Sequence, residues 1–152
     1  MIAVLVVLSA CSHGSPSVTF NCPSGAPLRG IYSPDRLQVI APCRWFRGTV
    51  VQVEDRSDGD KHLLLRPDPG YTKFLNVTNV NDGGLVVEIV PGQKLPIPAV
   101  EDHVAIFGTW VLDTHNDWNE IHPVWGIRYL SRGFSAFALP PATPLYTAGA
   151  SD

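Results

Sequence analysis

The sequence has no apolar run near the ~20 residues that a membrane-spanning helix requires. Charge is also scarce, with 16% of residues charged and a formal net charge of −3, so there is no broad basic face for avid nucleic-acid binding. Cysteine is limited to three residues with no C-x-x-C or His–Cys spacing, which gives no thiolate zinc motif. The chain also lacks a nucleophile elbow, a P-loop, a dinucleotide fingerprint, heptads and a solenoid repeat. Proline and glycine are plentiful: 14 and 13 of 152 residues break the chain often and argue against a helical bundle. With 45% hydrophobic residues, disorder throughout is excluded, and the length suits one domain.

Met1–Leu8 is a short apolar run followed by Leu8-Ser9-Ala10-Cys11. Small residues after an apolar core mark a signal-peptide cleavage region. The tetrapeptide resembles the lipobox of bacterial lipoproteins, which implies cleavage after residue 10, lipidation of Cys11 and a membrane anchor on the extracytoplasmic side of the cell envelope. If Cys11 carries lipid, Cys22 and Cys43 remain as a pair in a compartment that permits disulfides. Closing their loop of about twenty residues contributes roughly 3 kcal/mol on the chain-entropy model. Residues 11–21 read as lipidated cysteine and tether.

Residues 22–44 carry repeated prolines and read as an irregular lead-in, with a short strand or a helical turn over 35–40. The pattern then becomes strands and turns. Runs over 44–54, 61–66, 85–90, 103–112 and 121–130 are rich in β-branched and aromatic residues and are separated by Asp/Gly or Pro/Gly clusters. One irregular excursion, 71–82, interrupts them. The expected fold is all-β: a small five-stranded OB-like β-barrel over 45–130, whose closure removes exposed strand edges. Gly48, Gly108 and Gly126 lie within strands, where glycines mark bends or bulges. Residues 131–152 read as a proline- and alanine-rich tail.

Asp113-Thr114-His115-Asn116-Asp117-Trp118-Asn119-Glu120-Ile121-His122-Pro123 is the stretch richest in chemistry. A hairpin centred between Asp117 and Trp118 sets Asp113 opposite His122 and His115 opposite Glu120, all on one face. Opposed Cβ atoms ~5 Å apart let Asp113, His115, Glu120 and His122 converge on one divalent cation. A mixed His/carboxylate set suits zinc or manganese better than calcium. The same geometry equally describes two cross-strand polar pairs. Trp118, in the polar connection, is a candidate platform for a ligand.

Asp55, Asp58, Asp60 and His62 form a second acidic cluster, read as a solvated hairpin tip. The segment 50–64, with Asp58-Gly59-Asp60 before a strand, resembles the metal-binding turn of staphylococcal-nuclease-type OB barrels. The arginine strand and the Asp-x-Pro-Glu element of that family have no counterpart. A wider pattern runs through Cys43, Gly48-Thr49-Val50, Asp58-Gly59-Asp60-x-His62, Val87-Glu88-Ile89, Gly108-Thr109-Trp110-Val111, Asp113 and Trp118-x-Glu120-Ile121-His122-Pro123. It resembles a group of small exported bacterial OB-like domains of unknown function, and implies a fold but no chemistry.

The function expected from the sequence is a non-catalytic binding or envelope-structural module, anchored to the membrane by lipid, with a sugar or peptide ligand favoured over nucleic acid. A metal-dependent hydrolase using the Asp/His/Glu/His hairpin is the first alternative. A single-stranded nucleic-acid binder using Arg44, Arg47, Arg56, Arg66 and Trp118 is the second.

Overall fold

The computed structural model describes residues 19–143 and 145. The expected signal peptide and Cys11 lie outside them. The described protein is all-β, with strands β1 (Leu37–Asp55), β2 (Lys61–Pro67), β3 (Leu85–Ile89), β4 (His103–Asp113), β5 (Trp118–Tyr129) and β6 (Phe134–Phe137), and one short helix α1 (Val77–Asp82). They form one sheet in the order β3-β2-β1-β4-β5-β6. Neighbours in that order are antiparallel, and β3 also pairs parallel with β5 through Val86↔Glu120 and Val87↔Ile121. The strands β1-β2-β3-β5-β4 therefore close a ring of pairings.

β1 is 19 residues long and serves two neighbours, pairing with β4 through its first part and with β2 through its last. Its register breaks between Val39 and Ala41, between Ala41 and Arg44, and between Val50 and Gln52. Such irregularities bend a strand and allow one element to turn from one neighbour to the next. The lead-in expected over 22–44, with a short strand or a helical turn over 35–40, contains both: a 3₁₀ turn over Pro34–Arg36 runs into β1, which starts at Leu37 and continues through residue 44. Pro42 fits because it falls in a gap of the β1–β4 ladder, where its missing N–H is not needed.

Three further elements escaped the sequence reading. Within 71–82 lie a single 3₁₀ turn (Thr72–Phe74) and α1. Asn76 caps α1: its Oδ1 accepts from the Asn79 N–H at 3.0 Å, and Asn79 Oδ1 accepts from the Asn76 N–H at 3.2 Å. Asn79 is fully buried and also grips the start of β5, donating to the Asn119 carbonyl and accepting from the Asn119 N–H, both at 2.9 Å. In the stretch read as a tail, β6 pairs with the second half of β5.

The core is drawn from all five strands of the ring, through Phe46 and Val50, Leu63 and Leu65, Leu85, Val87 and Ile89, Val104 and Ile106, and Ile121, Val124 and Ile127. Outside it, the N-terminal segment is stitched down by the Cys22–Cys43 disulfide (Cα–Cα 5.8 Å), the pairing expected from the sequence. Thr109 Oγ1 adds a 2.7 Å bond to the Pro27 carbonyl, and Phe20 packs edge-on against Trp45 at 4.7 Å.

Of the three strand glycines, Gly108 and Gly126 flank a register shift between β4 and β5, and Gly48 does not. A Cβ at Gly48 would collide with the Arg66 carbonyl, one at Gly126 with the Phe20 ring, and one at Gly108 with the Pro123 carbonyl and Ile121. Close approach, more than bending, is what they provide. Gly108→Ala is therefore expected to destabilise the protein by about 1–3 kcal/mol, the ordinary range for forced overpacking. Denaturant titration of wild type and variant measures this, and an unchanged midpoint would contradict the close-packing account.

Candidate functional site

The turn between β1 and β2 brings the first acidic group inward. Gly59 takes a left-handed φ of 98° and the Asp60 N–H donates to Asp58 Oδ1 at 3.0 Å, a local turn favoured by Asp-Gly-Asp. The acidic run is thereby divided. Asp55 pairs with Lys61 at the surface and Asp58 braces the turn, while Asp60 is 2% exposed. The reading of this cluster as a solvated hairpin tip fails for Asp60 and His62, both of which are buried.

Strand alternation then assembles the rest. Leu63, Val87, Ile89 and Ile121 face the core, so their neighbours His62, Glu88, Glu120 and His122 point to the other side of the sheet. His62 lies directly opposite Glu88 in the β2–β3 ladder, and the β3–β5 pairing brings Glu120 beside Val86. Three strands and one turn thus place Asp60, His62, Glu88, Glu120 and His122 together, all buried. Such a concentration of ionisable groups out of water is costly unless they are paired with one another or with a metal.

His122 is central. Its Nδ1 lies 3.1 Å from Glu120 Oε1, in hydrogen-bonding geometry, and 3.0 Å from Glu88 Oε2. Its Nε2 faces Asp60 Oδ2 at 3.7 Å, too far for a hydrogen bond. Glu120 Oε2 in turn accepts from the Trp118 indole N–H at 3.1 Å. His62 Nδ1 stands 3.6 Å from Glu88 Oε1. One ligand atom from each of Asp60, Glu88 and His122 lies within 4.8 Å of the others. Asp60 Oδ1, Glu88 Oε2 and His122 Nε2 are buried and make no hydrogen bond among the described residues, the contact of Glu88 Oε2 with His122 being one of charge.

The electrostatics follow from this crowding. Burial lifts Asp60 to about 8 against the pull of His122, with Glu88 and Asp58 adding to the rise. Burial also raises Glu88, and Glu120 pushes it further. Burial alone would lower His122, but Glu88, Glu120 and Asp60 outweigh it and bring the imidazole to about 9. His62 moves the other way, because burial exceeds the attraction of Glu88.

The quartet expected from the sequence is not assembled. Asp113 pairs with Trp118 and Val111 with Glu120, so the turn spans residues 114–117 and Asp113 does not oppose His122. Asp113 itself imposes this register: its Oδ1 accepts from the N–H groups of His115 (2.8 Å) and Asn116 (3.3 Å), and its Oδ2 from Asn116 Nδ2 (2.9 Å). Asp117 completes the turn with a left-handed φ of 55°. Asp113 is thus engaged in the turn and lies 3.7 Å from the Arg36 guanidinium. His115 is exposed. Glu120 and His122 do come together, joined by Asp60 and Glu88. Asp60 had been noticed for the wrong reason. Glu88 had a signal of its own, a lone carboxylate within the apolar run of β3.

Two clefts open onto this face. One of about 300 Å³ is lined by residues that include Arg56, Asp58, Glu88, His115, Asn116 and Trp118. Another of about 250 Å³ is lined by residues that include Gln52, Arg56, His62, Val86 and Trp118. The half-buried Trp118 walls both, so the cluster is reachable from solvent beside Glu88 and His62.

In metal-free protein the pKa shifts fix a direction. The contribution of His122 is fully present below its ordinary 6.5 and is lost as pH rises through about 9, and that of Asp60 is present below 3.8 and lost through about 8. His62 acts with the opposite sign, at pH below 6.5. Thermal unfolding in chelator should therefore show Tm falling between pH 6.5 and 9, with a shallower fall in Asp60→Asn. A Tm that rises across that window would refute the assignment. No protein-family model, curated protein or solved structure matches this chain.

Proposed function

We propose that the chain is an OB-like β-barrel acting as a non-catalytic, extracytoplasmic binding module, lipid-anchored at Cys11, and that its polar face holds one divalent cation on Asp60, Glu88 and His122. The observation that carries the reading is the set of three buried ligand atoms without a hydrogen bond, His122 Nε2, Asp60 Oδ1 and Glu88 Oε2. Buried polar atoms are almost always satisfied, and a cation would satisfy all three. One imidazole with two carboxylates suits zinc or manganese, whereas calcium prefers an all-oxygen shell. Glu120 would orient the ring through Nδ1, the usual role of a carboxylate behind a metal-bound histidine.

The OB-like description is supported by the ring order β1-β2-β3-β5-β4 and by the position of the clefts. One is lined by Glu88 of β3 and by the loops at 56–60 and 114–117, the other by His62 and Leu64 of β2 and Val86 of β3, and OB barrels bind ligands on that face and with those loops. Export is supported by the lipobox-like Leu8-Ser9-Ala10-Cys11 and by the Cys22–Cys43 disulfide. One observation favours the hydrolase as a second reading: three protein ligands beside an open cleft leave a coordination position for water.

Calorimetric titration of zinc and of manganese into chelator-treated protein tests the site. The expected result is saturation at one equivalent with proton release, since the ligands must deprotonate. His122→Ala should abolish binding and His115→Ala should leave it unchanged. Glu120→Gln should weaken binding by about 10–100-fold. Absence of saturable binding, or equal loss in His115→Ala and His122→Ala, would overturn the proposal.

A further inference from the structure

A third recess shares no residue with the two clefts around the acidic cluster. It is a groove of about 650 Å³ lined by Arg44, Trp45, Gly70, Tyr71, Lys73, Phe74 and Trp110. Trp45 and Trp110 come from the paired strands β1 and β4, and Tyr71 and Phe74 from the 3₁₀ turn and the residue before it. Trp45, Tyr71 and Trp110 are half-buried, while Arg44 and Lys73 are exposed. The rings are held by packing: Phe74, itself part of the groove wall, lies 4.7 Å from Trp110 and 5.9 Å from Tyr71, and Trp45 is fixed by Phe107 at 5.0 Å, Phe20 at 4.7 Å and the Arg128 guanidinium at 5.4 Å. The aromatic wall is thus rigid in advance of any ligand, which lowers the entropy cost of binding.

The groove carries positive charge that no carboxylate neutralises among the described residues. Arg36, Arg47, Arg56, Lys61 and Arg132 each lie within 4.0 Å of a carboxylate, whereas Arg29, Arg66, Lys94 and Arg128, like the two cations of the groove, form no ion pair among the described residues. Arg44 bonds only the Cys43 carbonyl, and Lys73 forms no ion pair among the described residues. No carboxylate lines the groove, although the protein carries a net charge of −3. The Trp110 indole N–H is buried and makes no hydrogen bond. A buried donor without an acceptor costs free energy until an acceptor meets it.

The geometry points to a binding site for an acidic oligosaccharide, a uronate-bearing glycan whose sugar rings lie on Trp45, Tyr71 and Trp110 and whose carboxylates pair with Arg44 and Lys73. Aromatic side chains offer a large apolar face with a polar edge, which suits a sugar ring that is apolar on its faces and polar around its rim. Two cations match one or two carboxylates. A nucleic-acid strand needs more: proteins that hold its backbone typically neutralise several phosphates at once.

The test uses chelator-treated protein, so that metal binding by the uronate cannot contribute. A galacturonate hexamer is titrated by calorimetry beside neutral maltohexaose and a thymidylate hexamer. Saturable binding of the galacturonate hexamer alone, lost at least tenfold in Arg44→Glu/Lys73→Glu and unchanged in Asp60→Asn, is the expected outcome. Both reversed residues are exposed, and an unchanged Tm in the double variant confirms that its fold is intact. Equal binding of maltohexaose would overturn the role of charge. Tighter binding of the thymidylate hexamer would replace the glycan with nucleic acid. No binding of any probe would overturn the site.

Discussion

The structure depends on one short ladder, the parallel pairing of β3 with β5 at Val86↔Glu120 and Val87↔Ile121. Without it the strands would form an open sheet with β3 as a free edge. With it they form a ring whose inner side is filled by side chains from every member. The same ladder decides which groups meet on the outer side. β2 contributes His62, β3 contributes Glu88 opposite it, and β5 contributes Glu120 and His122. A slip of one residue along this seam would turn Glu120 and His122 inward and Ile121 outward, since side chains alternate. The apolar core and the polar cluster are two faces of the same register.

That arrangement carries an electrostatic cost. Three carboxylates and two imidazoles sit out of water with few backbone donors to satisfy them. Left to themselves they hold protons: burial raises Asp60 and Glu88, and at His122 the surrounding carboxylates outweigh burial and raise the imidazole too. A bound divalent cation would do the same work with charge in place of protons. The groove at Trp45 and Trp110 presents the opposite case, with Arg44 and Lys73 free of carboxylate partners among the described residues beside half-buried aromatic rings.

Much of the fold was legible because its signals are local. Alternating apolar residues and Asp/Gly or Pro/Gly turns locate β2, β3, β4 and most of β5 in the sequence to within a few residues. The continuity of β1 from Leu37 across Pro42 was not legible, because the place of Pro42 in a gap of the ladder depends on a partner strand far along the chain. β6 was hidden by its brevity. The site was legible in part. Glu120 and His122 share a face by their spacing alone, and they do meet. Their partners could not be read from the hairpin, because its register is set by Asp113 bracing the turn and by Asp117 adopting a left-handed conformation. Glu88 arrives through the β3–β5 seam, a long-range contact with no local trace except a carboxylate in an apolar strand.

Trp118 was singled out as an aromatic in a polar connection, but its hydrogen bond gives it another character. Its indole N–H is tied to the carboxylate that holds His122, and its ring meets that of His62 edge-on at 5.7 Å. An indole in that position has its excited-state dipole set in the local field of the cluster. Any redistribution of charge among these side chains therefore alters the colour and yield of its emission. The domain contains its own optical probe, placed between the two clefts and one hydrogen bond away from the group that binds the central imidazole.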